Sequence, residues 1–279
     1  MKFEHTEVMN FEGAFRGMRN PLASWHKSDS SFGVACEHED DYFAHEVAYA
    51  WAEHDLKDKE FESEDAYDDA RDVLVEKYLE WLYKEGTRYM SSDHHYYANF
   101  IGPNDMGLAR RLISGGTEHR KFLRQIMVSV DITAPLYWWK EFDTYKVGTT
   151  ANSTSTMHKL ASTPITKECF EMGDFENICY HFCEVGDDTV EYTTGDLAND
   201  FIENLERLRV KYNETKDKRY WKELVRWLPN GWLQTRTVTI NYENLRSMYH
   251  QREHHKLTEW HSFCDWVKGL PYAEDLIIN

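Results

Sequence analysis

Arg124-Gln125-Ile126-Met127-Val128-Ser129-Val130-Asp131-Ile132-Thr133-Ala134-Pro135-Leu136-Tyr137-Trp138-Trp139-Lys140-Glu141-Phe142 is the stretch that decides the fold. From Arg124 to Ile132 the side chains alternate, with Ile126, Val128, Val130 and Ile132 on one face and Gln125, Met127, Ser129 and Asp131 on the other. A period of two marks a strand with one buried face. Pro135 then stands where a first helical turn tolerates a missing N–H, and Leu136 to Phe142 continues as an apolar helix. Strand feeds helix.

A second such unit lies near the end of the sequence. Leu233 to Ile240 is rich in threonine and β-branched residues, and Asn241 can cap a helix whose fourth residue, Leu245, would staple onto Ile240. An apolar stripe through Leu245, Met248, Tyr249, Trp260, Phe263 and Val267 predicts one continuous helix. Arg252 falls in the middle of that stripe, aimed at the core. A buried guanidinium requires a partner, so either an internal carboxylate or an anionic ligand such as phosphate must meet it.

Between these units the pattern is mixed. Asp40 to Glu85 is acidic and helical, with Tyr67, Ala70, Leu74, Tyr78, Trp81 and Leu82 at helical spacing before Gly86 offers a stop. A shorter helix is expected from the cap Asn104 through Leu108 and Leu112 to Gly115 and Gly116. Val147 to Met157 carries no charge and is full of hydroxyls and amides, which reads as a polar loop able to cradle a phosphate or hold a planar ring. Lys159 to Arg226 reads as a peripheral insertion with a helix on Leu197, Phe201, Leu205 and Leu208.

Charge narrows the functions. Lys plus Arg total 32 against 49 Asp plus Glu, a net −17 that repels nucleic-acid backbones and anionic lipid alike. No apolar run approaches the roughly 20 residues of a membrane span, and the start Met1-Lys2-Phe3-Glu4-His5 lacks a signal-like apolar stretch, so a soluble cytoplasmic protein is expected. Five scattered cysteines, Cys36, Cys169, Cys179, Cys183 and Cys264, predict reduced thiols. His250 and His254 have the i, i+4 spacing of a metal pair, but with no third ligand they read as a solvated helix face, and no metal is expected. Cys36-Glu37-His38 and Cys179-Tyr180-His181-Phe182-Cys183 read as buried packing rather than ligation. The glycine-rich dinucleotide turn, the P-loop and the serine elbow are absent.

Taken in order, the two strand-to-helix units resemble the flavin-dependent thymidylate synthase family. Gly116-Thr117-Glu118-His119 precedes the first strand, Thr133-Ala134-Pro135 ends it, and Trp138 and Trp139 lie on the helix. Thr144-Tyr145-Lys146, then Val147-Gly148, occupies the place of the family's Arg-His-Arg signature. Downstream, Leu228-Pro229, the threonine-rich strand, Asn241, Arg252 eleven residues later and Trp260 resemble the family's closing strand and helix.

The resemblance implies an α+β fold, a mixed or antiparallel sheet with long helices packed around it. It implies one domain over 1–279: a helical N-terminal region at 1–99, a family-like core at 100–160 and 226–279, and an insertion at 161–225. It also implies FAD held near Glu118, His119, Asn152 and Asn241, and a pyrimidine nucleotide held by Arg252, Arg226, Lys146 and Ser153. Arg252 and Ser155 would then serve catalysis in one-carbon transfer to C5 of the nucleotide, with a reduced folate as donor, in a homo-oligomer, most simply a tetramer. Two alternatives stay open: a non-catalytic nucleotide-binding or assembly protein that kept the fold and lost the site, and an enzyme acting on another nucleotide without flavin.

Overall fold

A computed structural model describes residues 1–36, 42–85, 87–90, 96–186 and 188–279. Gly86, the expected helix stop, and Glu37-His38 lie outside the described residues. The strand β1 (Lys2–Met9) and helix α1 (Phe11–Met18) precede β2 (Ser31–Cys36), the helices α2 (Tyr42–Leu56) and α3 (Glu64–Glu85), and the short strands β3 (Thr87–Met90) and β4 (Tyr96–Phe100). Next come α4 (Pro103–Ser114), β5 (Met127–Pro135), α5 (Leu136–Phe142), β6 (Thr149–Ser153) and α6 (Thr156–Ser162). They are followed by β7 (Cys179–Val185), β8 (Asp188–Thr193), α7 (Thr194–Thr215) and α8 (Lys218–Trp227). The strand β9 (Leu233–Asn241) leads into α9 (Tyr242–Arg252) and α10 (Thr258–Lys268). The fold is α+β, as the sequence predicts. Its contacts divide into two compact units, Met1–Thr6 with Ser129–Thr239, and Glu7–Val128 with Ile240–Asn279.

The first unit is built on a sheet of order β1-β5-β9-β6. Asp131 accepts a hydrogen bond from the Thr237 hydroxyl at 2.5 Å and Thr133 Oγ1 meets Thr235 Oγ1 at 2.7 Å, so β5 and β9 run antiparallel. Val130, Ile132 and Ala134 are buried while Ser129, Asp131 and Thr133 are half-buried, the alternation expected of this strand. Its start is three residues later than the periodicity suggests, because Lys121–Gln125 winds into a 3-10 turn that buries Phe122 and Leu123. The helix α5 begins where Pro135 placed it, and the amides of Leu136 and Tyr137 donate to the carbonyls of Trp232 and Asn230, each at 3.0 Å. These bonds satisfy two donors that a helix start leaves without partners. Trp138, Trp139 and Phe142 then interlock with ring centroids 4.9 to 5.2 Å apart.

Two sequence expectations for this unit are corrected. Val147 to Met157 is not a loop: threonine-rich chain pairs readily as a sheet edge, and Thr149–Ser153 forms β6 before Ser155 caps α6. The Cys179–Cys183 segment is a strand, yet not a buried one; it pairs antiparallel with β8 as a two-stranded ribbon that leaves Tyr180 and Phe182 exposed. The helix predicted on Phe201 and Leu205 is present as α7, opened by a reciprocal capping box between Thr193 and Asp196. Leu160, Ile165, Phe170, Leu205, Leu224 and Trp232 form a local core beneath it.

In the second unit α2 and α3 pack through Trp51, Tyr78 and Leu82 beside Phe100, with the Trp51 and Tyr78 rings edge-to-face at 5.5 Å. The sheet β2-β4-β3 is antiparallel throughout. Helix α4 is capped by Gly102, not Asn104, because the Asp29 carboxylate reaches in from outside and accepts from the amides of Asn104 at 2.8 Å and Asp105 at 3.0 Å. A Cβ on Gly102 would stand 2.2 Å from that carboxyl carbon, so only glycine fits there. Gly116 closes the helix at φ +99°, whereas Gly115 stays right-handed at φ −70°.

Asn241 caps α9 as expected: its side chain accepts from the Asn244 amide at 2.9 Å, with Ile240 and Leu245 both buried. The single long helix predicted beyond it is a correction. The chain leaves helical geometry after Arg252, and the polar run Glu253-His254-His255-Lys256 joins α9 to α10. His255 stabilises the break by accepting the Leu257 amide at 3.2 Å on its Nδ1, while its carbonyl lies 2.7 Å from His261 Nε2. Each half of the apolar stripe is buried on its own helix, Leu245, Met248 and Tyr249 on α9 and Trp260, Phe263 and Val267 on α10.

Candidate functional site

Arg252 ends α9, and its side chain is half-buried rather than sunk in the core as the stripe predicted. The helix break explains the difference, since the residue sits at a helix end instead of mid-helix. Its guanidinium carbon lies 4.7 Å over the centroid of the fully buried Trp260 ring. A cation over an aromatic ring is held by attraction to the negative face of the ring's π-system.

The same helix carries a charged face. Glu243, Arg246 and His250 follow at i, i+3 and i+7, and Arg120 donates from Nε to both Glu243 oxygens at 3.1 and 2.8 Å. Arg246 donates to the Ile277 carbonyl at 2.7 Å. Burial, then the charge of Arg120, lowers the Arg246 pKa; burial, then Arg246, lowers that of His250 below its ordinary 6.5. His250 is therefore an uncharged hydrogen-bonding group at neutral pH. The i, i+3, i+7 spacing of Glu243, Arg246 and His250 is legible in the sequence, whereas Arg120, 123 residues from Glu243, is joined to them only by the fold.

The remaining expected residues of this unit are placed differently. Glu118 is exposed and pairs with Lys121 at 3.2 Å. His119 is exposed, and Asn241 is buried with its side-chain oxygen engaged in the α9 cap. His250 and His254 do not share a helix, and no group of three or more metal-ligating side chains occurs among the described residues.

In the other unit Asn152 and Ser153 lie exposed on β6, Ser155 accepts the His158 amide at 3.4 Å as the α6 cap, and Lys146 is exposed before the strand. Arg226 is half-exposed on the last turn of α8 and ion-paired with Glu223. The guanidinium with the strongest local support is one the sequence reading passed over. Arg236 is 15% exposed, donates to Asp143 at 2.6 Å and to Gln234 at 3.0 Å, and stacks 4.1 Å over Trp139. Its signal was a cation on the buried-face register of β9, in step with Gln234, Val238 and Ile240. On the opposite face, Asp131 is held below the ordinary carboxylate range first by the Thr237 hydroxyl and then by His5 at 3.1 Å.

A cavity of about 380 Å³ opens in the first unit beside Thr133, Phe170 and Leu233, and one of about 710 Å³ in the second beside Arg19 and Arg111. None of the residues assigned above to flavin or nucleotide lines either. As a donor set for flavin, Glu118, His119, Asn152 and Asn241 offer hydrogen bonds and no permanent cation. They suit the polar edge of a ring system and not a diphosphate.

No protein-family model matches the sequence, and no curated protein is detectably similar to it in sequence. Solved structures are similar in fold. The flavin-dependent thymidylate synthase ThyX from Helicobacter pylori, determined with FAD and dUMP, aligns over 99% of this chain and 97% of that one, with a TM-score of 0.52 and 13% identity. A second structure of ThyX from the same organism, also with FAD and dUMP, aligns over 63% and 83% at a TM-score of 0.44 and 16% identity. The UMP/dUMP methylase PolB from Streptomyces cacaoi, bound with 5-Br UMP, aligns over 62% and 82% at a TM-score of 0.41 and 18% identity. The chain is similar in fold to the first of these structures. No described helix is long and apolar enough to cross a membrane.

Proposed function

We propose that this chain is a divergent flavin-dependent thymidylate synthase-like enzyme, transferring one carbon from a reduced folate to C5 of a pyrimidine deoxynucleotide. One observation carries the reading: in a chain with this fold, the guanidinium carbon at the end of α9 lies 4.7 Å over the ring of a buried tryptophan. Arg252 binds the nucleotide and withdraws charge from the pyrimidine as C5 becomes nucleophilic. No side-chain nucleophile is required. FAD, when bound, would supply hydride, and His119, Asn152 and Asn241 stay the residues this reading assigns to hydrogen bonding with it. Lys146, Ser153 and Arg226 belong to the nucleotide side of the reading, Ser155 to the catalytic side, and a homotetramer is its assembly.

The test is a titration of the purified chain with FAD, followed by visible absorbance, and with dUMP, followed by calorimetry. Flavin colour and dUMP heat are both expected. Arg252→Ala should weaken dUMP by about 10- to 100-fold, the equivalent of one charge-assisted contact. A chain that takes up neither ligand refutes the proposal.

A second reading has its own support: Arg226 is taken by Glu223 and Glu118 by Lys121, which fits a nucleotide-binding or assembly protein that kept the fold without the chemistry. It predicts dUMP binding with no flavin uptake.

A further inference from the structure

The 710 Å³ cavity of the second unit has a cationic lining that the chain as a whole does not. Arg19, His26, Lys27, His54, Lys57 and Arg111 line it, and no acidic residue does, in a protein of net charge −17. Three segments bring them together: the turns after α1, the last turn of α2, and the face of α4 on which Asn104, Leu108, Arg111 and Leu112 recur at helical spacing.

The cations differ in what already holds them. Arg19 is committed to the buried Asp105 at 2.5 Å, and is structural. His54 sits 3.8 Å from Asp55 and 3.1 Å from the Lys57 ammonium. His26, Lys27, Lys57 and Arg111 form no ion pair among the described residues. Like charges gathered without counter-charge around one concavity focus an attractive field for an anion. The rest of the wall is apolar, from Met18, Pro21, Leu22, Leu108 and Leu112. Its volume lies in the range of about 300 to 1,000 Å³ typical of small-molecule sites.

We infer that this cavity binds a nucleoside triphosphate, the polyphosphate against Lys27, Lys57 and Arg111 and the base against the apolar wall. Three permanent cations match a polyphosphate better than a monophosphate, and the apolar surface would be wasted on an inorganic ion. A long polyanion is disfavoured because it would lie against the acidic remainder of the surface. The inference is independent of the proposed reaction, whose assigned residues do not line this cavity.

Calorimetry on the full chain with ATP tests it, beside inorganic tripolyphosphate and a ten-residue oligodeoxythymidylate. Lys27 and Arg111 are exposed, so Lys27→Glu/Arg111→Glu should fold, and Lys57→Gln provides a milder second variant. ATP should bind the wild type at least about tenfold more tightly than tripolyphosphate, and the double variant should lose about thirtyfold or more, with Lys57→Gln losing severalfold. Lys211→Glu, an exposed cation on α7, should leave ATP affinity unchanged. Absence of ATP heat at millimolar concentration overturns the inference. So does a folded double variant that binds ATP like the wild type, tripolyphosphate binding as tightly as ATP, or the oligonucleotide binding more tightly than ATP.

Discussion

Removing the Asp105 carboxylate should be among the most damaging single changes in this protein. Asp105 is fully buried and accepts three hydrogen bonds, from Arg19 Nε at 2.5 Å and from the hydroxyls of Ser28 and Ser30, each at 2.6 Å. Arg19 is 5% exposed. In Asp105→Ala the guanidinium stays inside without its counter-charge, a situation that costs about 3–5 kcal/mol, and two hydroxyls lose their acceptor. Domains are stable by only about 5–15 kcal/mol, so the loss is a large fraction of the whole. With a urea m-value of about 2 kcal/mol/M, the midpoint should fall by roughly 2 M. Arg19→Met/Asp105→Leu removes both charges and should recover most of it, leaving a deficit of about 1–2 kcal/mol from the stranded serines. The assay is urea denaturation of the wild type, Asp105→Ala and Arg19→Met/Asp105→Leu, followed by fluorescence. An Asp105→Ala variant within 1 kcal/mol of the wild type, or a double variant no more stable than the single, would refute the reasoning.

Two further outcomes follow from titrating groups. Glu206 lies below its ordinary 4.5 because Arg209 donates to it at 2.5 and 2.7 Å, with a lesser contribution from the Ile165 amide. A depressed carboxyl adds stability above its unfolded pKa and loses it as pH falls through the folded one, so melting curves between pH 2 and 6 should fall less steeply for Glu206→Gln; parallel curves would contradict this. Burial pushes the Cys264 thiol up to about 11, whereas Cys179 is exposed. At pH 8 a disulfide reagent should label Cys179 within minutes and Cys264 only after denaturation, as mass spectrometry of the labelled peptides would record.

The elements legible in the sequence were those whose pattern is local. Alternation along Val128 to Ile132, Pro135 at the α5 start and the Asn241 cap each depend on a few neighbouring residues, and each holds. What failed depended on residues distant in sequence. The Val147–Met157 stretch reads as a loop until β9 stands beside it as a pairing partner, and Asn104 reads as a cap until Asp29, 75 residues earlier, takes the α4 amides. The break between α9 and α10 is hidden in the sequence because the apolar stripe continues through it, and periodicity alone does not register a turn whose amides bond locally to Tyr249 and Arg252. The register of Arg252 puts it beside the apolar surface of Trp260, yet the helix break leaves it half-buried at a helix end rather than in the core.

The arginines show why a candidate site in so acidic a chain is better sought by what its cations lack than by where they cluster. Arg120 is matched to Glu243, Arg236 to Asp143, Arg226 to Glu223 and Arg209 to Glu206, so each is already explained by architecture. The cations that matter are therefore those without an acid that also gather around one cavity. Leaving several such cations together costs mutual repulsion, which a fold tolerates most readily where an anion relieves it. His26, Lys27, Lys57 and Arg111 meet that condition around one cavity, while the expected nucleotide arginine Arg226 does not. An anion is the counterpart that group lacks among the described residues, and it is the ligand chemistry the ATP titration addresses.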